Sequence, residues 1–403
     1  MPAGNKFRHQ SYPTQPIQQP VIRSVTAEQA RGAGFERLHT QFAVRDVLIV
    51  HGTFMGDDPF GVADMLRTLA GNTPAFAAAL DGVAAGIQAR MKPLADSVAG
   101  DVGNYTQQFA DKFREITGGD PAVELLKPTW SGQNHHLARA DLAVRLLCRL
   151  TELAPTPDQR ILLWGHSHAG NAFAILSNLL ANDRESVAAF FEAVSDQPGD
   201  SWKVAQQELA AAPSPHPLAN SVIIAAFGTP VRYGWDTTGF RHLTHFLHHR
   251  VFDENNPFIS KPLFPPHSLP DTLTARYGDW VQSFGIAGTD VATPVSIGVN
   301  QRLQTILESG LAEPVHELDT RFLTPKRIRD ACARWKTGTR CHADGRNLLL
   351  SYEPCGRKSV TGYPIEQALL GHGVATTLDW LPTHLALLLE VLEQDGADRR
   401  RDA

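Results

Sequence analysis

Residues 161–176 read Ile-Leu-Leu-Trp-Gly-His-Ser-His-Ala-Gly-Asn-Ala-Phe-Ala-Ile-Leu, and they hold the one serine in the chain best set for chemistry. The apolar run Ile161 to Trp164 reads as a buried strand, and Asn171 to Leu180 is apolar at helical spacing. Ser167 falls between them, flanked by Gly165, Ala169 and Gly170. A sharp strand-to-helix turn strains the backbone of the serine and leaves no room for bulk two residues away. It also aims free helix N–H groups at the serine oxygen and at any anion beside it. The usual pattern is G-x-S-x-G; here Ala169 stands at the fifth position and Gly170 follows one place later. The plain alternative is an ordinary turn with a capping serine.

Serine is a poor nucleophile unless a base takes its proton, and that base needs a third group to fix its tautomer. The chain offers Asp290, at the end of Ala287-Gly-Thr-Asp, and His372, inside Gly371-His-Gly373. Upstream, Val44 to Val50 reads as a buried strand running into His51-Gly52-Thr53-Phe54. His51 is expected to brace that loop rather than take part in chemistry. Asp236 is the runner-up acid, ahead of Asp253 and Asp271. His342 and His384 compete with His372, but His384 sits within a helical pattern and reads as a packing residue.

Further strands are expected over 123–130, 221–231, 280–287 and 347–352, and helices over 138–153, 299–311 and 380–393. Strands alternating with helices imply an α/β fold with a mostly parallel central sheet and helices on both faces. Residues 1–40 show no strong period and read as a loose arm with a short helix near 26–32. One domain is expected over 41–394 and a charged, frayed tail over 395–403. Within that domain, 74–116 repeats apolar residues at three- and four-residue steps, as a helical hairpin or a cover over the site would. Residues 232–285 read as an irregular cap or lid, and 312–346 as a basic insertion.

At 403 residues the chain is long enough for a large core, and 42% apolar with 20% charged residues suits a globular protein. A net charge of −5 argues against nucleic acid as the main partner. No apolar run reaches the length of a membrane span. The polar, Gln- and Pro-rich start lacks the order of a signal peptide, so a cytoplasmic location is expected, with signal-independent export left open. The four cysteines, at 148, 332, 341 and 355, read as free thiols, although Cys332 and Cys341 are close enough in sequence to bridge. His135 and His136 lack a third ligand at sensible spacing. His242, His245, His248 and His249 could share a helical face, an arrangement more often solvated or packed than metal-bound. No metal site is expected.

The order Ser167, Asp290, His372, with His51-Gly52 upstream, resembles the α/β-hydrolase superfamily from about Val44 to Leu392. Within it the chain is similar to bacterial lipases and esterases. The resemblance rests on His-Gly-Thr-Phe at 51–54, Gly-His-Ser-His-Ala-Gly at 165–170, Phe-Gly-Thr-Pro at 227–230, Ala-Gly-Thr-Asp at 287–290 and Gly-His-Gly at 371–373. It implies an α/β-hydrolase fold with cap or lid insertions and a carboxylic-ester hydrolase. Ser167 would be its nucleophile, His372 its general base and then acid, and Asp290 the support of His372. The main-chain N–H groups of Thr53 and His168 would form the oxyanion hole. No cofactor is implied. The partner would be a small-molecule or lipid-like ester, with transient contact at a lipid interface left open. Thioester hydrolysis, acyl transfer or a non-catalytic binding scaffold would fit the same pattern.

Overall fold

The computed structural model describes residues 6–9, 15–27, 34–52, 101–126, 134–195, 199–251, 274–287, 297–308, 339–358 and 364–402, with 254–255, 257–258, 271 and 333–334. Seven strands form one sheet: β1 (Val21–Val25), β2 (Val44–Val50), β3 (Ala122–Leu125), β4 (Arg160–His166), β5 (Val222–Phe227), β6 (His242–His248) and β7 (Arg346–Tyr352). Their order across the sheet is β1-β7-β6-β5-β4-β2-β3, and every neighbouring pair is parallel. The protein is an α/β fold.

Parallel strands need long crossovers, and helices lie in most of them, while residues 228–241 join β5 to β6 without one. The helices are α1 (Arg37–Thr40), α2 (Gln107–Ile116), α3 (His136–Leu153), α4 (His168–Ala181), α5 (Arg184–Glu192), α6 (Asp200–Ala211), α7 (Trp280–Ala287), α8 (Ile297–Leu307) and, after the last strand, α9 (Leu381–Asp402). The central strands β4 and β5 are almost wholly buried, which is why they read as continuous apolar runs instead of alternating patterns. Side chains alternate between two cores. Leu163, Ile224 and Leu243 pack with α3, α4 and α8; Leu162, Trp164, Phe227 and Phe246 pack with α2 and α9. Among the described residues, no helix is long and apolar enough to cross a membrane.

Several expectations need correction. Residues 21–25, assigned to a loose arm, form β1, which pairs along β7 and is tied down by Arg23 to Glu390 at 2.7 Å. Residues 242–248, assigned to an irregular lid, form β6 in the middle of the sheet, so the histidines do not share a helical face. His242 and His248 point to one side of the sheet and His245 to the other, as a two-residue period requires. Burying such a polar strand demands partners. His242 bonds Asp395 at 2.8 Å and Thr244 at 2.7 Å, while His245 stacks on His342 at 3.9 Å.

Residues 280–287, expected as a strand, form α7. The tail from Asp395 continues α9 to Asp402, with Asp395 held by His242 and by Arg346 at 2.8 Å. Of the repeat at 74–116, residues 101–106 are not helical and 107–116 form α2, which buries Phe109 and Phe113; residues 74–100 lie outside the described residues. The insertion is described only at 333–334 and 339–346, where Arg340, Cys341 and His342 are buried. Cys148, Cys341 and Cys355 are free thiols, and Cys332 lies outside the described residues.

Candidate active site

The carboxyl ends of β2, β4, β5 and β6 converge, which is where open parallel sheets collect ligands. Ser167 occupies the turn between β4 and α4, with φ 58° and ψ −131°. A non-glycine residue there costs on the order of 1–3 kcal/mol and persists only when its surroundings fix it. They do: Ser167 N–H donates to Phe227 O at 2.7 Å, and Ser167 O accepts from Gly170 N–H and from Thr229 Oγ, both at 3.1 Å. Ala169, in place of the usual glycine, is fully buried. It fits because Gly165 has no side chain: a Cβ at 165 would lie 3.2 Å from the Ala169 Cβ and 2.3 Å from the Phe173 ring.

His51 and Gly52 follow β2, and His51 Nδ1–H donates to Gly52 O at 2.9 Å, the bracing role expected of it. The loop presses on the serine so closely that a Cβ at Gly52 would lie 2.7 Å from the Ser167 Cβ. Thr53 lies outside the described residues. The His168 N–H belongs to the first residue of α4, directly after Ser167. Its ring is buried and neutral, pushed well below the usual histidine range by burial and then by Arg139 and Arg232.

His372 lies beside this turn: its ring is 4.2 Å from that of His166, and its main-chain O accepts from His166 Nε2–H at 3.0 Å. Its Nδ1–H donates to Asp279 Oδ2 at 2.6 Å, which fixes the tautomer. That leaves Nε2 with the lone pair, buried and with no hydrogen-bond partner among the described residues. Gly228 makes the close approach feasible. At φ +57°, a Cβ there would lie 2.9 Å from Asp279 Oδ2 and 3.1 Å from His372 Nδ1.

The carboxylate on His372 is therefore Asp279, which the sequence reading did not single out; Asp290 and Asp253 lie outside the described residues. Asp279 follows Gly278, which bridges to His249 just past β6, and its N–H donates to His248 O at 3.0 Å. Its Oδ1 caps α7 by accepting from Gln282 N–H at 2.8 Å. Burial alone would raise this carboxyl. The charge and hydrogen bond of His372, the Gln282 amide and the Arg340 guanidinium outweigh burial and hold it below the usual range. A signal for it was present, since an Asp directly before an apolar helical run is an N-cap pattern.

The other candidates are engaged elsewhere. Asp236 pairs with Lys6 at 3.2 Å and caps its own turn through Thr238. Asp271 pairs with Arg276 at 3.1 Å. His342 Nε2–H donates to Thr229 O at 3.1 Å, and the Nε2 of His384, inside α9, hydrogen-bonds with Tyr352 OH at 2.8 Å. His135 caps α3, and His136 meets Tyr233 OH at 2.6 Å. Among the described residues, no group of three metal-ligating side chains is gathered.

Chemically, the arrangement is a strained serine at a helix N-terminus beside an imidazole of fixed tautomer, which is backed by a buried carboxylate. No protein-family model, no curated protein and no solved structure matches the chain.

Proposed function

We propose that the protein is a serine hydrolase of carboxylic esters, built on an α/β-hydrolase fold and working through an acyl-serine intermediate. One observation carries the reading: the buried His372–Asp279 hydrogen bond of 2.6 Å leaves Nε2 of His372, unpartnered among the described residues, beside the turn of Ser167. Ser167 Oγ attacks the ester carbonyl while His372 Nε2 takes the proton, and Asp279 supports the imidazolium that forms. The oxyanion faces the N-terminus of α4, where the His168 N–H donates; the Thr53 N–H is the second donor that the resemblance implies. Collapse expels the alcohol, which takes its proton from His372. Water, activated by the same imidazole, then releases the acid. No cofactor takes part.

The apolar steps in the sequence of residues 74–100 favour a bulky or lipid-like acyl group, whereas Phe109 and Phe113 of the same repeat belong to the core. A fluorophosphonate probe tests the reading. Wild type should label at a serine lost in Ser167→Ala, with labelling slowed strongly in His372→Ala. Nitrophenyl esters against acyl thioesters, with and without an alcohol acceptor, then separate esterase from thioesterase and acyltransferase. A wild type that does not label, with or without detergent, overturns the proposal in favour of a binding scaffold.

A further inference from the structure

The stretch that carries His372 is strained. Leu369 at φ 49° and Leu370 at φ 58° are both left-handed non-glycine residues, and Gly371 follows at φ +84°. Both leucines are strained there, and such runs hold only where neighbours over-determine them. The local bond, His372 N–H to Leu369 O at 3.0 Å, closes one turn and fixes nothing outside it. Two rings from the sheet do more. His248, the last residue of β6, donates Nδ1–H to Gly371 O at 2.7 Å. His166, the last residue of β4, donates Nε2–H to His372 O at 3.0 Å. A carbonyl can only accept, so each bond also fixes the tautomer of its histidine. The remaining nitrogens, His166 Nδ1 and His248 Nε2, are buried and have no partner among the described residues.

We infer that His166 and His248 are positioning residues which together clamp the loop of the general base by gripping the consecutive carbonyls of Gly371 and His372. The inference rests on the role proposed for His372. His248 holds both sides of the base–acid pair, because its own carbonyl accepts from Asp279 N–H at 3.0 Å. His166 holds the base to the serine, since it is the residue directly before Ser167. Strands β4 and β6 are thereby coupled to a loop that arrives from β7. Both rings stay neutral: burial pushes His166 down to about 3 and His248 down to about 4. Neutrality suits a ring 4.2 Å from an imidazole that must become cationic.

The experiment compares His166→Phe and His248→Phe, which keep ring bulk without the donor, with His166→Gln and His248→Asn, whose amide N–H can reach the same carbonyl. Two readouts are taken beside thermal melting. One is steady-state hydrolysis of a short nitrophenyl ester; the other is the downfield proton signal of the His372–Asp279 hydrogen bond. The Phe variants should lose kcat by on the order of 10- to 100-fold with little change in KM, as sub-ångström misplacement of a base does. They should also broaden or shift the proton signal, and the amide variants should recover much of both. If a Phe variant fails to fold, His166→Asn, one methylene short, serves against His166→Gln. An unchanged proton signal and kcat in folded Phe variants or in His166→Asn overturns the clamp. Absence of hydrolysis in wild type would overturn the hydrolase reading, while the proton signal alone would still decide the clamp.

Discussion

The two halves of the candidate site are built in opposite ways. The serine half is contiguous: β4, Ser167 and α4 occupy residues 160–181, and the strained serine is fixed by main-chain bonds to Phe227 O and Gly170 N–H and by the Thr229 hydroxyl. The acid–base half is assembled from distant pieces. Asp279 returns to the end of β6 after a long excursion, and His372 arrives in a left-handed loop after β7. Side chains hold it: His248 and His166 on the loop, and Asp279 on the imidazole itself. Arg340 supports the acid segment through Asp279 O at 2.6 Å. A nucleophile needs only one turn shaped correctly, whereas a base and its acid need two chain segments brought into register with that turn.

Removing the centre of either half should be most damaging. Ser167→Ala or His372→Ala should each lower kcat for ester hydrolysis by on the order of 10⁴- to 10⁶-fold, measured with nitrophenyl esters. Next comes the identity of the acid. Asp279→Asn should cost about 10⁴-fold in kcat by spoiling the tautomer of the base. Asp236→Asn and Asp290→Asn should stay near wild type; a large loss in Asp290→Asn with little in Asp279→Asn would reverse the assignment.

Gly228→Ala tests the contact between the halves, because its Cβ would crowd Asp279 Oδ2 at 2.9 Å from a left-handed backbone. We expect a loss of about 1–3 kcal/mol in urea unfolding, together with reduced activity.

Acid should act on the whole core, on both halves of the site. His166 and His384 are pushed down to about 3, and His248 to about 4, chiefly by burial. Their folded values lie below the unfolded one, so the unfolded chain binds more protons between them. Stability is then complete above the ordinary histidine value and falls as pH drops from there toward 3–4, by up to about 1.4 kcal/mol per pH unit per histidine. Urea midpoints at pH 8, 6 and 5 should fall in that order. A flat series would contradict the burial of these rings.

The smallest effect is a control remote from the serine. Asp395→Ala removes the bonds to His242 and Arg346 and should cost about 1–2 kcal/mol with kcat unchanged.

Local chemistry determined much of this protein. The apolar runs within β2, β4, β5 and β7 are legible because strands buried on both faces tend to near-continuous apolar sequence, and their alternation with helices points to a parallel sheet. Ser167 was legible because its turn is written in neighbouring small residues. His372 was legible from a loop flanked by Gly371 and Gly373. What neighbours in sequence do not encode, the tertiary structure decided. It made β6 a central strand by giving each buried imidazole a partner from elsewhere in the chain, Asp395 for His242 and Gly371 for His248. It turned 280–287 from a strand into α7, capped by the same carboxylate that holds His372. Asp279 became the partner of His372 because Gly278 returns the chain to the end of β6 and Gly228 leaves room for the approach. Such a contact depends on where two segments meet, and no spacing along the sequence records it.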